Sequence, residues 1–365
     1  MMRVYFVLEH VEGKGGVETV LTNVTNGLTA NGNEVQVFLP YASSDDSWEK
    51  DLPGVHYYFD EEVTAYNAVQ LLSEKSLGLS KKLSSMPRPD VIVATHAPHT
   101  VLYSRMAINY KKNPPIVSWL HNPPEYFNNF QMINYADIHW SISMGIKQKI
   151  DNILQGESKR NFYIGNPFDL NVSEISPIVG QHFVFIGRLE NKQKRLDILL
   201  QALSLLSTSW TLDLFGTGPD EDKIKNMAIQ LNISDKVKFH GWVDNPWNEI
   251  KNITCLVLSS DFEGMPMVIG EAMTRGIPVL STDCETGPSD LIKNNENGWL
   301  TPTGNVYLLA ETFQKISILS QENLEKISRN AKQSIKSYSV VEVLDRMKES
   351  LYELVGIERE EKNGY

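Results

Sequence analysis

Residues 253–283 read ITCLVLSSDFEGMPMVIGEAMTRGIPVLSTD. The run ITCLVLSS is apolar through its middle and too short for a typical helix, so it predicts a strand. A turn with Gly264 and Pro266 follows, then a helical stretch from Pro266 to Arg275, then a second short apolar run, IPVLSTD. Strands that lack apolar–polar alternation are buried on both faces, and a helix joining two of them is the crossover that parallel pairing requires. The segment therefore reads as a βαβ unit and points to an α/β architecture.

The same rhythm extends both ways. Upstream, HFVFIGR, TLDLFG and KVKFHG predict strands, with helices near Asp197–Leu206, Asp220–Leu231 and Pro246–Lys251. The first half repeats it with RVYFVLE, EVQVFLP, VHYYF, DVIVATH, PIVSWLH, DIHWSIS and NFYIG, and with helices such as Val17–Asn31 and Ala65–Ser84. Between the two series lies GNPFDLNVSEISPIVGQ, Gly165 to Gln181, whose prolines and turn formers mark a linker. After Tyr307 the pattern is helical, and the last residues, REEKNGY, are charged and expected to fray. The expected organisation is two Rossmann-like, doubly wound domains facing across a cleft. Residues 1–170 form the first and 171–340 the second, with a helix and tail at 341–365 packing back on the first.

The chain has 365 residues, enough for two cores. A formal net charge of -11 argues against a nucleic-acid partner, which needs a basic surface. Cys255 and Cys284 are its two cysteines and give no disulfide framework. The apolar run at the N-terminus ends at Glu9 after a few residues, too short for a secretory segment, and no stretch approaches the roughly 20 apolar residues that span a bilayer. A cytoplasmic protein is expected, with membrane contact only peripheral. LLSEKSLGLSKKLSSM, with Lys75, Lys81, Lys82 and Arg88 just beyond, suits either an anionic leaflet or a solvated helix face.

In doubly wound domains ligands bind beyond the carboxyl ends of the strands. Gly15 and Gly16 follow the first strand and precede a helix, so their amides form either an anion-binding turn or an ordinary loop; GxGxxG is absent. Arg188 follows HFVFIG directly and Lys194 lies six further on. A forked guanidinium and a point-charge ammonium together suit a diphosphate, although Lys192 and Arg195 make a solvated charged turn the competing reading. Gly216, Gly241 and Trp242 fall at further strand ends, where a glycine beside an aromatic suits a base pocket or a rim. His121 ends PIVSWLH before two prolines, either as a structural ring or facing a ligand. His96 and His99 have no evident third metal ligand.

The turn of the opening segment carries Glu263, and Glu271 stands eight positions later. On one continuous helix they would lie roughly 80° apart. With Glu263 on the turn and only Glu271 helical, both can reach one crevice. Gly264, Met265, Met267 and Val268 then offer amides at a helix start, Pro266 suits the first turn, and a phosphate is favoured there. A negative Glu263 beside such a turn is poor electrostatics unless it binds something neutral and hydroxylated.

Together GGVE at Gly15–Glu18, WLHNPP around His121, GRLENKQK at Gly187–Lys194, GTGP at Gly216, HGW at Gly241 and EGMPMVIGE resemble, in order and spacing and across nearly the whole chain, the GT-B retaining glycosyltransferases of family 4. The resemblance implies a donor-binding second domain and an acceptor-binding first domain. Arg188 and Lys194 would neutralise a diphosphate, Glu263 contact the hexose and Glu271 the ribose, and Gly16 close on the phosphate; His121 would contact hexose or acceptor. No cofactor or metal is implied beyond the UDP-sugar donor. CETGPSDLI departs from the commoner family turn and looks like that of bacterial lipopolysaccharide and capsule hexosyltransferases. Transfer of galactose, glucose or N-acetylhexosamine to a saccharide or lipid-linked saccharide is the expected reaction. The alternatives are a catalytically silent subunit of the same fold and, more remotely, another nucleotide-dependent enzyme.

Overall fold

The computed structural model describes residues 1–12, 15–96, 98–108, 113–156 and 160–356. The segment REEKNGY lies outside them. The chain divides into unit 1, residues 1–167 with 340–365, and unit 2, residues 168–339.

Unit 1 opens with β1 (Arg3–Val7), α1 (Gly16–Ala30), β2 (Glu34–Leu39), β3 (Val55–Tyr57) and α2 (Ala68–Ser84). It continues with β4 (Val91–Thr95), α3 (Pro98–Ala107), β5 (Ile116–Leu120), β6 (Ile138–Ser141), α4 (Met144–Leu154) and β7 (Arg160–Tyr163). The sheet is parallel, in the order β3-β2-β1-β4-β5-β6-β7. Every residue of β4 and β5 is buried, as helices on both faces demand. Tyr5, Val7, Phe38, Ile92 and Ala94 pack with Leu79 and Leu83 of α2 and Val101 and Tyr103 of α3.

Unit 2 comprises β8 (His182–Ile186), α5 (Asn191–Lys194), α6 (Leu196–Ser204), β9 (Thr211–Phe215), α7 (Glu221–Gln230), β10 (Val237–Gly241), β11 (Cys255–Leu258), α8 (Met267–Thr274), β12 (Val279–Thr282), α9 (Pro288–Leu291), β13 (Trp299–Thr301), α10 (Val306–Ser317) and α11 (Gln321–Ser334). Its parallel sheet runs β10-β9-β8-β11-β12-β13. Phe183 and Phe185 of β8 join Leu212, Leu214, Val257 and Leu280 and the helical Leu199, Leu203 and Phe313 in one core. The final helix, α12 (Val340–Val355), belongs to unit 1. Its Leu344 lies over Gly27 of α1, Ser350 accepts from the Trp140 indole at 2.7 Å, and Arg346 donates to the Ile164 carbonyl at 2.8 Å.

Each sheet reverses its strand order once. Successive strands step outward from β1 to β3 and then restart on the other side with β4; in unit 2 the restart falls between β8 and β11. At such a point the loops leaving neighbouring strands diverge and leave a crevice at the carboxyl ends.

Several local expectations need correction. Residues 246–248 form one 3-10 turn rather than a helix to Lys251. Pro266 caps α8 instead of entering its first turn. The loop after Arg188 winds into the short α5, and β13 was not foreseen. The linker runs extended along unit 2, with Ile175 and Ile178 amides donating to Arg275 and Ile253 carbonyls at 2.9 Å. Both cysteines are buried, and burial raises both thiols well above their usual pKa.

Candidate active site

In unit 2 the loops leaving β8 and β11 meet at the reversal. The Asp261 amide donates to the Gln193 carbonyl at 2.9 Å, the Gln193 side chain to the Phe262 carbonyl at 3.0 Å, and the Ser259 hydroxyl to the Lys194 carbonyl at 2.7 Å. Arg195 holds a left-handed backbone, φ 48°, and bridges Asp261 at 2.7 Å and Asp197 at 3.0 Å. This framework brings Lys194 Nζ within 2.6 Å of Glu263 Oε1. The side chains are 17% and 7% exposed, and Ser260 donates to the same carboxylate oxygen at 2.6 Å. The electrostatic difficulty at Glu263 is thus met locally: a lysine from the neighbouring loop offsets its charge. Arg188 differs, with its side chain 69% exposed and Nε 3.9 Å from Glu190.

Glycine sets how closely these loops approach. Gly216 has φ 128°, and a Cβ there would lie 2.1 Å from the Gly187 carbonyl oxygen. A Cβ on Gly287, φ 95°, would lie 2.6 Å from the Gly264 carbonyl. Gly264, Met265 and Pro266 are buried at the entry to α8, Met267 is half-buried, and no side chain caps the helix. One turn further, Glu271 Oε2 accepts from the Trp247 indole at 3.1 Å. Arg275 donates to the Glu271 carbonyl at 2.9 Å and stacks 4.8 Å over the Trp247 ring. Burial raises the Glu271 pKa and outweighs the Trp247 hydrogen bond and the Arg275 charge. At the end of β10, Gly241 has φ 70° and open space where a Cβ would stand. Trp242 is a half-exposed rim aromatic whose indole donates to Asp244 at 3.1 Å.

In unit 1, Gly15 caps α1 and Gly16 begins it, with the buried Glu18 curling back over Gly15. His121 is buried beside the Trp119 ring. Its Nε2 lies 3.0 Å from the Thr95 hydroxyl, which donates to the Trp119 carbonyl at 2.9 Å, so Nε2 must be the donor. Burial depresses its pKa to about 3, so the ring is neutral at physiological pH.

Sequence reasoning missed the cluster at the carboxyl ends of β1 and β4. Both carboxylate oxygens of Glu9 are engaged, one by Lys75 of α2 and the other by His99 of α3. Burial opposes ionisation of Glu9, but the His99 hydrogen bond and the Lys75 charge outweigh it and bring the pKa to about 2. Lys75, expected to face a leaflet or solvent, is instead buried in this ion pair. The available signal was a carboxylate two residues past an apolar strand. Among the described residues no His, Cys, Asp and Glu side chains group for a metal, and no helix is long and apolar enough to cross a membrane.

Two family models match. Glycosyltransferase Family 4 covers residues 14–154, and Glycosyl transferases group 1 covers residues 179–334. The lipopolysaccharide 1,6-galactosyltransferase of Escherichia coli K12 is 31% identical over 318 residues, 84% of this chain and 86% of that protein. The solved apo form of the lipopolysaccharide outer core galactosyltransferase WaaB superposes with a TM-score of 0.82 at 27% identity, over 97% of this chain and 100% of the other. Anabaena HepE, solved with UDP, superposes with a TM-score of 0.81 at 21% identity over 96% and 100% of the two chains, a likeness of fold. With a relative at 31% identity matched over 84% of this chain and a family match on each half, the chain belongs to the family 4 glycosyltransferases of GT-B fold.

Proposed function

We propose that this enzyme transfers a hexosyl group, galactose, glucose or N-acetylhexosamine, from a UDP-sugar to a saccharide or lipid-linked saccharide of the bacterial surface, with retention at the anomeric carbon. The observation that carries the donor reading is the Lys194–Glu263 pair at the strand-order reversal of unit 2, with the exposed Arg188 on the same loop. A cation pair suits a diphosphate, and a carboxylate already neutralised by lysine suits a hydroxylated ring. In this reading Arg188, Lys194 and the amides opening α8 at Gly264, Met265 and Met267 hold the diphosphate. Glu271 accepts from ribose hydroxyls, Glu263 from hexose hydroxyls, and the base lies by Gly216, Gly241 and Trp242. His121 serves as a neutral hydrogen-bonding group.

As the glycosidic bond breaks, negative charge grows on the leaving diphosphate. Fixed cations and helix amides stabilise that charge, commonly by several kcal/mol. The acceptor hydroxyl attacks from the leaving-group face and its proton passes to the departing phosphate. The likeness to the lipopolysaccharide 1,6-galactosyltransferases and to HepE, solved with UDP and with UDP-glucose, supports this substrate class. On α2 the exposed Val69, Leu77 and Lys81 suit peripheral contact with an anionic leaflet.

Thermal unfolding with UDP, GDP and NAD, without divalent ions, tests the donor. UDP stabilisation is expected, and a response to NAD alone overturns the reading. Arg188→Ala should lower transfer by roughly 100-fold or more without unfolding the chain. Full activity in that variant removes Arg188 from the mechanism.

A further inference from the structure

The loop after β10 carries a tryptophan to which the donor reading gives no task. Trp247 stands in the 3-10 turn Pro246–Asn248, which opens on Pro246, and its ring is buried. We propose that Trp247 is a positioning residue for the donor ribose: its indole N–H pins Oε2 of Glu271, so that the rest of this carboxyl group meets the vicinal hydroxyls of the sugar in one fixed rotamer. This deepens the UDP-sugar reading above and rests on it.

The hydrogen bond is the first support. Trp247 Nε1 lies 3.1 Å from Glu271 Oε2, across 24 positions of sequence. An indole nitrogen only donates, so Oε2 is the acceptor whether or not the carboxyl group holds a proton. Oε1 has no hydrogen-bond partner among the described residues. Glu263 is met by the Lys194 ammonium, whereas Arg275 donates to the backbone carbonyl of Glu271 and leaves its carboxyl group to the neutral indole. A glutamate on a helix samples several rotamers, and fixing one oxygen removes that freedom before a ligand arrives.

The needs of the indole do not explain the pair. Nε1 of Trp119 and Nε1 of Trp210 are buried without a hydrogen-bond partner among the described residues, so this chain leaves indole donors unpaired elsewhere. A carboxyl group also costs more to desolvate than the indole N–H it would satisfy. The indole is itself held. Arg275, one helical turn beyond Glu271, stacks 4.8 Å over its ring. Gly241 and Trp242, placed beside the base in the donor reading, precede Trp247 by a few residues. One segment then borders the base and orients the ribose acceptor.

The test measures calorimetric binding of UDP and 2′,3′-dideoxy-UDP to the full chain, with steady-state kinetics on UDP-hexose. The wild type should prefer UDP by roughly tenfold or more, because both ribose hydroxyls donate to Glu271. Trp247→Phe keeps an aromatic ring and loses the N–H. It should reduce that preference to roughly threefold or less while the dideoxy analogue stays within about twofold of wild type. KM for UDP-hexose should rise with kcat within about twofold, since the ribose contact is the same in ground and transition states. In a Glu271→Gln background, Trp247→Phe should change UDP affinity by less than about twofold. Parallel weakening of both nucleotides marks a purely structural tryptophan and overturns the positioning role. An unchanged preference, or a fall in kcat at constant KM, does the same. If Trp247→Phe does not fold, Arg275→Met decides. It leaves the indole N–H in place but frees the ring, and the preference should fall by about twofold or more; an unchanged preference overturns the role. Failure of the donor reading shows separately, as a wild type that binds no UDP or binds both nucleotides equally.

Discussion

Replacing Lys194 by Met leaves Glu263 as a 7% exposed carboxylate without its lysine. Breaking a buried pair from one side typically costs 3–5 kcal/mol, because the remaining charge keeps its desolvation penalty. The Ser260 hydroxyl still donates to Glu263 at 2.6 Å and offsets part of this, so about 2–4 kcal/mol is expected. Glu263→Gln should cost less, about 1–2 kcal/mol, because the 17% exposed ammonium can reach water. The double variant should be more stable than the sum of the singles predicts, by about 1–2 kcal/mol. A two-unit chain need not unfold in one step, so urea titration is paired with hydrogen exchange on peptides spanning residues 187–197 and 259–268. If the two changes add within about 0.5 kcal/mol, the pair is not coupled and the electrostatic account of unit 2 is wrong. Nucleotide titrations separate the roles. Lys194→Met should lose stabilisation by UDP, whereas Glu263→Gln should keep it and lose the added effect of the hexose in UDP-hexose.

Glu9 makes stability depend on acid. Its folded pKa of about 2 lies below the ordinary 4.5, so the stabilisation is fully present above pH 4.5 and disappears as pH falls toward 2. The shift corresponds to about 3 kcal/mol; Glu9→Gln should remove this acid limb from a plot of unfolding free energy against pH, and parallel wild-type and variant curves would contradict the assignment. Two glycines should respond differently to alanine. Gly216→Ala must displace the Gly187 carbonyl and should cost about 3 kcal/mol or more, whereas Gly241→Ala, facing open space, should cost only the left-handed backbone penalty of about 1 kcal/mol; equal changes in Tm would refute the packing described here.

The strands were legible because β4, β5, β8 and β11 are mostly apolar on both faces, with only Thr95, Ser118 and His182 polar among them, and parallel burial demands such runs. β13 escaped because three residues, Trp299–Thr301, are too few to show a pattern. Arg188, Lys194, Glu263 and Glu271 could be picked out as charges at strand ends and on the following helix. The contact between Lys194 and Glu263 could not, since they lie 69 positions apart and meet only because β8 and β11 are neighbours. The same limit hid Glu9, read as the end of a strand, from His99, which lies 90 positions away. Lys75 misled because a lysine on an amphipathic helix looks alike whether it meets solvent or a buried carboxylate.

The return of α12 to unit 1 constrains the order in which a ribosome can deliver this fold. Residues 168–339 emerge as one continuous block, whereas unit 1, begun first, lacks its closing helix until the codons past Ser339 have been read. Until then the surface of α1 around Gly27 and the indole of Trp140 wait for Leu344 and Ser350. The half translated earliest is therefore the half completed last, and it is the one most exposed to chaperone capture during biogenesis.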